Sequence, residues 1–133
     1  MTHKQPGITV DCVVFDQDDR LLLIERKNPP FQGQFALPGG FVEYGETTEA
    51  AAARELKEET SLMAGTTKLI GVYSRPDRDP RKHVITAAYL VSVNAAEPHA
   101  GDDAISAKFI ADWKSVPLAF DHKEILADAL KIR

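Results

Sequence analysis

Cysteine is almost missing from this sequence, since Cys12 is the single one among 133 residues. An internal disulfide and a multi-cysteine zinc site are therefore excluded. Long apolar runs are missing too: stretches such as 21–24 are far too short to span a membrane, and the N-terminus lacks the apolar core of a secretory signal. Internal repeats and low-complexity tracts are also missing, which excludes solenoid architectures. These absences favour a cytoplasmic protein with no membrane association.

Positive charge is in short supply as well. Lys and Arg number 16 against 20 Asp and Glu, which gives a formal net charge of −4 and a pI of about 5.5. We therefore expect no general electrostatic affinity for nucleic acid. A phosphate-bearing partner must instead be held locally, by a few arginines or by a metal ion. The length and the 44% hydrophobic content fit one domain over residues 1–133, with no linker.

Strand signals and helix signals alternate unevenly along the chain. Strands are predicted over 8–15, 20–26, 68–74, 83–94 and 105–111, with a short extended piece at 35–37. A helix is predicted from about Thr48 to Thr60, and Asp121 is expected to cap a final helix. His122, at the start of that helix, is expected to hydrogen-bond at its terminus. This pattern predicts an α/β (α+β) fold with helices packed on the faces of a mixed sheet.

Three carboxylates fall on one face of the helix predicted over 48–60. Glu55, Glu58 and Glu59 lie within an arc of roughly 100°, where like charges repel each other. Arg54 offsets part of that repulsion because it can reach Glu58, four residues on. A divalent cation would offset more, since Mg²⁺ and Mn²⁺ bind clusters of carboxylate oxygens. A solvated acidic face is the alternative interpretation.

The sequence around this helix resembles the signature of the Nudix hydrolases. Residues 40–62 meet eight of the nine specified positions of G-x5-E-x7-R-E-U-x-E-E-x-G-U, where U is a bulky aliphatic residue. The exception is Ser61, where the family usually has the glycine that closes the helix in a left-handed turn. Ser61 must therefore adopt a strained conformation, or the helix must end differently. The preceding LPGG segment and the strand–hairpin opening are also typical, so the resemblance covers most of the chain.

The resemblance implies an α/β/α sandwich around a mixed β-sheet. It also implies hydrolysis of a nucleoside diphosphate linked to another group X, with Mg²⁺, or alternatively Mn²⁺, as the cofactor. The implied metal ligands are Glu55, Glu58, Glu59 and the backbone carbonyl of Gly39. Arg54 would hold these glutamates in place, and we count it with them among the catalytic residues.

The resemblance leaves two kinds of general base open: a glutamate of the signature, or an acidic residue from a loop in the C-terminal part of the chain. Glu46 has an outer role in either case, through water or by holding Arg54. The loop candidates are Asp103, which we prefer, followed by Asp102 and Glu97. The sequence GDD at 101–103 is equally typical of a simple turn.

Arginines are concentrated in the stretch from Tyr73 to His83, which contains Arg75, Arg78 and Arg81. Such a loop can be a solvated ion-pair cluster. However, RDPR before a strand that ends in AYLV, with GDDA and LAFDHKEIL later on, resembles the Nudix group associated with ADP-ribose pyrophosphatase activity. This resemblance implies cleavage of ADP-ribose to AMP and ribose 5-phosphate. Arginines suit such a substrate because their guanidinium groups bond bidentately to anionic oxygens.

Arg26 and Phe35 complete the expected set of substrate-binding residues. An adenine ring favours an aromatic surface, and Phe31, Phe35 or Phe120 can offer one. The alternative activity is removal of pyrophosphate from nucleoside triphosphates. A non-catalytic nucleotide sensor is a further alternative. It is disfavoured because all carboxylates of the signature are present and the chain ends soon after the final helix. The expected partner is a small nucleotide, and related enzymes are often homodimers.

Overall fold

The computed structural model describes residues 4–94, 96–101 and 103–133. The chain begins with a strand and a hairpin and ends with a helix. In chain order the elements are β1 (Gly7–Val13), β2 (Leu21–Arg26), β3 (Phe35–Ala36), β4 (Gly39–Phe41), α1 (Thr48–Thr60), β5 (Ala64–Tyr73), β6 (Val84–Val93), β7 (Ala104–Ile110), a short 3₁₀ turn (Trp113–Ser115) and α2 (His122–Ile132).

The strands form two sheets. The first has the order β4-β1-β6-β5, in which β1 and β6 run parallel and the other pairs are antiparallel. The second has the order β3-β2-β7 and is antiparallel throughout. Parallel and antiparallel pairing in one sheet confirms the predicted mixed topology.

The two helices pack on opposite faces of the central strands. Val10, Cys12 and Val14 contribute to the same buried cluster as the α1 side chains Ala51, Ala52 and Leu56. Val13, between them, packs instead with the α2 side chains Ile125, Leu126 and Ala129. β2 alternates in the same way, with Leu22 on the α1 side and Leu21 and Leu23 on the α2 side. Successive strand residues point to opposite faces, so both faces are buried and the predicted three-layer arrangement is confirmed.

The helix that carries the carboxylates has the predicted boundaries. Thr47 caps it, since its Oγ1 accepts a hydrogen bond from the Ala50 N–H at 3.1 Å. Ser61 adopts the left-handed conformation, with a φ of 67°, and its N–H donates to the Lys57 carbonyl at 2.9 Å. Of the two outcomes expected for Ser61, the structure therefore has the strained one.

We expect Ser61→Gly to raise the free energy of unfolding by about 0.5–1 kcal/mol, because glycine adopts positive φ without steric cost. Urea unfolding at neutral pH measures the change. Ser61→Ala is the control, since alanine keeps the strain and should give no gain. An equal gain from both variants would show that the backbone conformation is not the cause.

Two expectations need correction. β5 begins at Ala64, four residues before the predicted strand, because Thr66 pairs with Ser92 on β6: its N–H donates to Ser92 Oγ at 2.7 Å. Asp121 occupies the position before α2, but its side chain caps nothing. Both of its carboxylate oxygens instead accept hydrogen bonds from Arg78, at 2.8 and 2.6 Å. A charged carboxylate binds a guanidinium more strongly than it binds a neutral N–H.

Candidate active site

Arg54 lies at the centre of the acidic face of α1. Its guanidinium donates to both oxygens of Glu46 at 2.7 and 2.9 Å, to Glu55 at 2.9 Å and to Glu58 at 3.2 Å. It also donates to the Phe41 carbonyl at 3.0 Å, which ties α1 to β4. The hydrogen bonds from Arg54 lower the pKa of Glu46 to about 2. One arginine therefore fixes the positions of three carboxylates.

Glu59 points from α1 towards the Gly39–Gly40 turn. Its Oε2 accepts the Gly39 N–H at 2.9 Å. Burial is the main reason why the pKa of Glu59 is raised to about 8; the charges of Glu55, Asp11 and Asp103 act in the same direction, and the hydrogen bond from Gly39 opposes them. Burial also raises the pKa of Glu55, although Arg54 opposes that shift. This corner of the molecule carries more negative charge than its hydrogen bonds compensate.

The close approach of α1 and β1 to this turn leaves little room beside either glycine. A Cβ on Gly40 would lie 2.5 Å from the carboxyl group of Glu55. A Cβ on Gly39 would lie 2.1 Å from the Val10 carbonyl oxygen. A larger residue at Gly39 would therefore force the backbones of β4 and β1 apart, whereas one at Gly40 would displace the carboxyl group of Glu55.

The carbonyl of Gly39 faces away from β1. In an antiparallel ladder, pairs of facing residues that exchange hydrogen bonds alternate with pairs that do not. The Cys12 N–H donates to the Pro38 carbonyl and the Val42 N–H donates to the Ile8 carbonyl. Gly39, which faces Asp11, therefore belongs to a pair without hydrogen bonds between β4 and β1. Its N–H and carbonyl therefore point to the outer side of β4, an edge strand, where the N–H meets Glu59.

These residues suit a divalent cation in their chemistry. The donors are carboxylate and carbonyl oxygens, and their excess negative charge needs a cation. Within the part of the chain that the structure describes, no three acidic, histidine or cysteine side chains already converge on one point. Arg54 provides the positive charge between Glu55 and Glu58 in this arrangement.

A pocket of about 80 Å³ opens beside Gly39 and Glu59. Acidic and basic side chains both line it: Asp11, Glu59 and Asp79 are the acids, and Arg26 and Arg81 are two of the bases. Burial and the neighbouring Arg81 lower the pKa of Arg26. The pocket therefore offers oxygen ligands for a cation and guanidinium groups for an anion.

A buried polar network forms the floor of this pocket. Thr86 Oγ1 donates to Asp11 at 2.7 Å, and His122 Nε2 lies 3.3 Å from the other oxygen of Asp11. His122 Nδ1 accepts the Leu37 N–H at 3.0 Å, which places the proton of the neutral ring on Nε2. The expectation that His122 binds at the helix terminus is therefore wrong. Its ring bridges β1 and the segment that leads into Gly39 instead.

Arg78 belongs to the same network. Its side chain is 3% exposed, pairs bidentately with Asp121 and lies 4.0 Å from Asp11. Sequence reasoning missed Asp11 and His122 because each is a lone polar residue in an apolar or helical context. Their partners lie far away along the chain, so no local pattern marks them.

The remaining predicted residues are spread over several places. Arg81 lines the pocket, pairs with Asp79 at 2.8 Å and is half-exposed, whereas Arg75 is exposed and lies 3.3 Å from Glu124.

Phe35 contacts Lys108 and packs with the core on the α2 side, away from the pocket lining. Glu97 lines a different pocket, with Phe15 and Arg20. Asp103 is exposed in the turn just before β7, close enough for its charge to raise the pKa of Glu55 and Glu59. Asp102 lies outside the described residues.

A model of the NUDIX domain matches residues 5–129. The chain belongs to the Nudix family. This Nudix chain is 52% identical over 130 residues to an ADP-ribose pyrophosphatase of Methanocaldococcus jannaschii, an alignment that covers 97% of the chain and 76% of the relative. The predicted family and fold are thereby confirmed.

Two solved structures are similar to this Nudix chain over nearly its full length. One is the NUDIX domain of Shewanella oneidensis NrtR in complex with ADP-ribose, with a TM-score of 0.90, 30% identity and coverage of 98% of this chain and 90% of that one. The other is a bifunctional NMN adenylyltransferase/ADP-ribose pyrophosphatase of Francisella tularensis, complexed with AMP and a manganese ion. Its TM-score is 0.85 at 31% identity, and coverage is 99% of this chain but 43% of the longer protein.

Proposed function

We propose that this Nudix domain hydrolyses ADP-ribose to AMP and ribose 5-phosphate with Mg²⁺ as cofactor. The observation that carries the proposal is the pocket in which Glu59 and Gly39 share a lining with Arg26 and Arg81. A diphosphate needs both halves of that lining: carboxylates that hold a cation, and guanidinium groups that bind its anionic oxygens. The 52% identity to an ADP-ribose pyrophosphatase supports ADP-ribose as the substrate.

Glu55, Glu58, Glu59 and the Gly39 carbonyl would hold the divalent ion. When bound, such an ion neutralises phosphate charge and lowers the pKa of a coordinated water. Arg54 keeps two of these carboxylates aligned through its hydrogen bonds to Glu55 and Glu58, and Glu46 in turn holds the Arg54 guanidinium. Mg²⁺ rather than Mn²⁺ is part of the proposal.

Arg26 and Arg81 bind the diphosphate in this proposal, and Arg78 has a different task. Because Arg78 is buried and paired with Asp121, it anchors the loop on which Arg81 stands, three residues further along. Asp79 holds the Arg81 guanidinium through two hydrogen bonds, at 3.1 and 2.8 Å. This pairing reduces the side-chain entropy that Arg81 would lose on binding phosphate.

Asp103 is the proposed general base. The segment before it is bound to the end of α1, since His99 N–H donates to the Thr60 carbonyl at 2.8 Å and Gly101 N–H to the Glu59 carbonyl at 3.0 Å. A Cβ on Gly101 would lie 2.0 Å from the Glu58 carbonyl oxygen, so only glycine permits this approach. In the reaction, the water oxygen bonds to one phosphorus, the bridging P–O bond breaks, and the water proton passes to the base.

The setting of the reaction is also part of the proposal. A small nucleotide, not nucleic acid, is the partner, which the net charge of −4 supports. The proposal places the protein in the cytoplasm as a homodimer. Among the described residues, no helix combines the length and apolar character needed to cross a bilayer.

A substrate panel with excess Mg²⁺ tests the proposed function. The panel contains ADP-ribose, NADH, a nucleotide sugar, a diadenosine polyphosphate and several nucleoside triphosphates. We expect AMP and ribose 5-phosphate from ADP-ribose, and loss of turnover when EDTA is added. Pyrophosphate released from a triphosphate, with ADP-ribose left intact, would replace the proposal by a triphosphate pyrophosphohydrolase. Tight binding of ADP-ribose without turnover would favour a sensor.

A further inference from the structure

Two phenylalanines at the edge of the site have an unusual backbone. Phe31 has a φ of 61° and Phe120 a φ of 54°, a region that bulky side chains rarely adopt because Cβ crowds the carbonyl oxygen. Such strain persists only where the surrounding structure imposes it, and it concentrates at binding sites. Phe120 lines the pocket beside Glu59, and the ring of Phe31 lies against the ring of Phe120.

The two rings and Arg26 form one unit, which we call the aromatic cluster. The rings of Phe31 and Phe120 meet edge to face, with centroids 4.8 Å apart and planes at 62°. The Arg26 guanidinium lies 4.9 Å from the centroid of Phe120, and its Nε donates to the Pro30 carbonyl at 2.7 Å. Arg26 therefore holds both the Phe120 ring and the residue before Phe31, which fixes the three groups relative to one another.

The aromatic cluster lies between two depressions. Phe120 lines the pocket beside Glu59, whose 80 Å³ hold only about two or three water molecules. Phe120 and Phe31 also line a wider depression of about 480 Å³, together with Arg75 and Lys123. Both rings are half-buried: on their inner side they pack against a small core that contains Ala36 and Ala119.

We propose that the aromatic cluster is the stacking platform for the nucleobase, and that the wider depression holds the base. This inference rests on the proposed function and adds the orientation of the substrate. The diphosphate lies beside Glu59, Arg26 and Arg81, where the narrow pocket has no room for a purine. The base is the one aromatic part of ADP-ribose. The half-buried ring of Phe120 lines both the narrow pocket and the wider depression, and the ring of Phe31 lies beside it in the wider one.

Phe120→Leu and Phe31→Leu test the platform with ADP-ribose. Loss of base stacking should raise KM about 10-fold and leave kcat within about twofold. Phe120→Trp restores an aromatic face and should bring KM back to near the wild-type value. A matched control is Phe15→Leu, because Phe15 makes the same type of contacts elsewhere, with the Trp113 ring at 5.5 Å and the Arg133 guanidinium at 3.8 Å.

A base-free probe separates stacking from a general loss of structure. For a diphosphate that carries ribose at both ends, KM should be the same in wild type and Phe120→Leu. If Phe120→Leu raises both KM values equally, the ring only covers the small core beneath it and the platform is wrong. The same conclusion follows if Phe120→Leu leaves the KM for ADP-ribose unchanged while the wild type hydrolyses it.

A binding measurement makes the test independent of turnover. The fluorescence of 1,N6-etheno-ADP-ribose changes when its base stacks on an aromatic ring, and EDTA prevents hydrolysis. We expect saturable change with wild type, Phe15→Leu and Phe120→Trp, and its loss with Phe120→Leu. No change with the wild type overturns the platform. A saturable change without hydrolysis in Mg²⁺ supports the platform and overturns the proposed enzymatic function.

Discussion

Glu58→Gln should keep the fold and lower kcat for ADP-ribose by roughly 100-fold or more, since several kcal/mol of transition-state stabilisation depend on the cation that Glu58 is proposed to bind. The side chain of Glu58 is 56% exposed and makes one long hydrogen bond to Arg54, at 3.2 Å, so the fold does not depend on its charge. Glutamine has the same volume, but its neutral amide is a weak ligand for a hard cation. The Mg²⁺ concentration for half-maximal activity should rise as well.

Glu49→Gln is the matched control because it removes one negative charge from the same helix. Glu49 lies in the first turn of α1, where its carboxylate accepts hydrogen bonds from Thr48 and Tyr89. The activity of Glu49→Gln should stay within about twofold of the wild type, since salt largely screens the effect of a charge this far from Glu58. Steady-state kinetics over a range of Mg²⁺ measure both variants. Near-normal turnover of Glu58→Gln would remove Glu58 from the mechanism.

Arg78→Met should lower the free energy of unfolding by about 3–5 kcal/mol, the usual effect of removing one partner from a buried ion pair. The side chains of Arg78, Asp121 and Asp11 are 3%, 6% and 9% exposed. Without the guanidinium, two carboxylates remain buried: Asp11 keeps Thr86 and His122 as neighbours, and Asp121 loses both of its hydrogen bonds from Arg78. The loss should therefore greatly exceed that from an exposed arginine.

Urea unfolding measures this prediction, with two further variants for comparison. Arg75 belongs to the same loop, but its side chain is 61% exposed and pairs with Glu124. Arg75→Met should therefore lower the free energy of unfolding by less than about 1 kcal/mol. The double variant Arg78→Met/Asp121→Asn should recover part of the loss, because one of the unpaired charges is then neutral. Equal effects of Arg75→Met and Arg78→Met would show that burial does not set the strength of the Arg78 pair.

The parts of the site that sequence predicted are those that local chemistry determines. The α1 boundaries follow from the Thr47 cap, the run of alanines and the lack of glycine or proline inside the helix. The placement of Arg54 among Glu46, Glu55 and Glu58 follows from helical spacing and a short loop. Those spacings indicate the Nudix family, and the family match over residues 5–129 covers nearly the whole fold.

The floor of the pocket was not predictable in this way. Arg78 and Asp121 are 43 residues apart, Thr86 and Asp11 are 75 apart, and Leu37 and His122 are 85 apart. Each pair meets only after β1 and β6 align in parallel and α2 packs on the opposite face from α1. Asp121 illustrates the difficulty, because its sequence context indicates a helix cap and a distant arginine takes the carboxylate instead.

Successive side chains of β1 and β2 belong to two different buried cores. The helix that carries the carboxylates therefore packs on one set of side chains, and the rest of the site packs on the other. The carboxylate helix rests on Val10, Cys12 and Leu22, whereas the helix beside the aromatic ring rests on Val13 and Leu23. Substitutions that reshape the α2 side can therefore accumulate without disturbing the foundation of the acidic helix. In a fold of this kind, substrate preference can change during evolution while the hydrolytic chemistry stays the same. Different side chains of the same two strands support the acidic helix and the substrate-binding side.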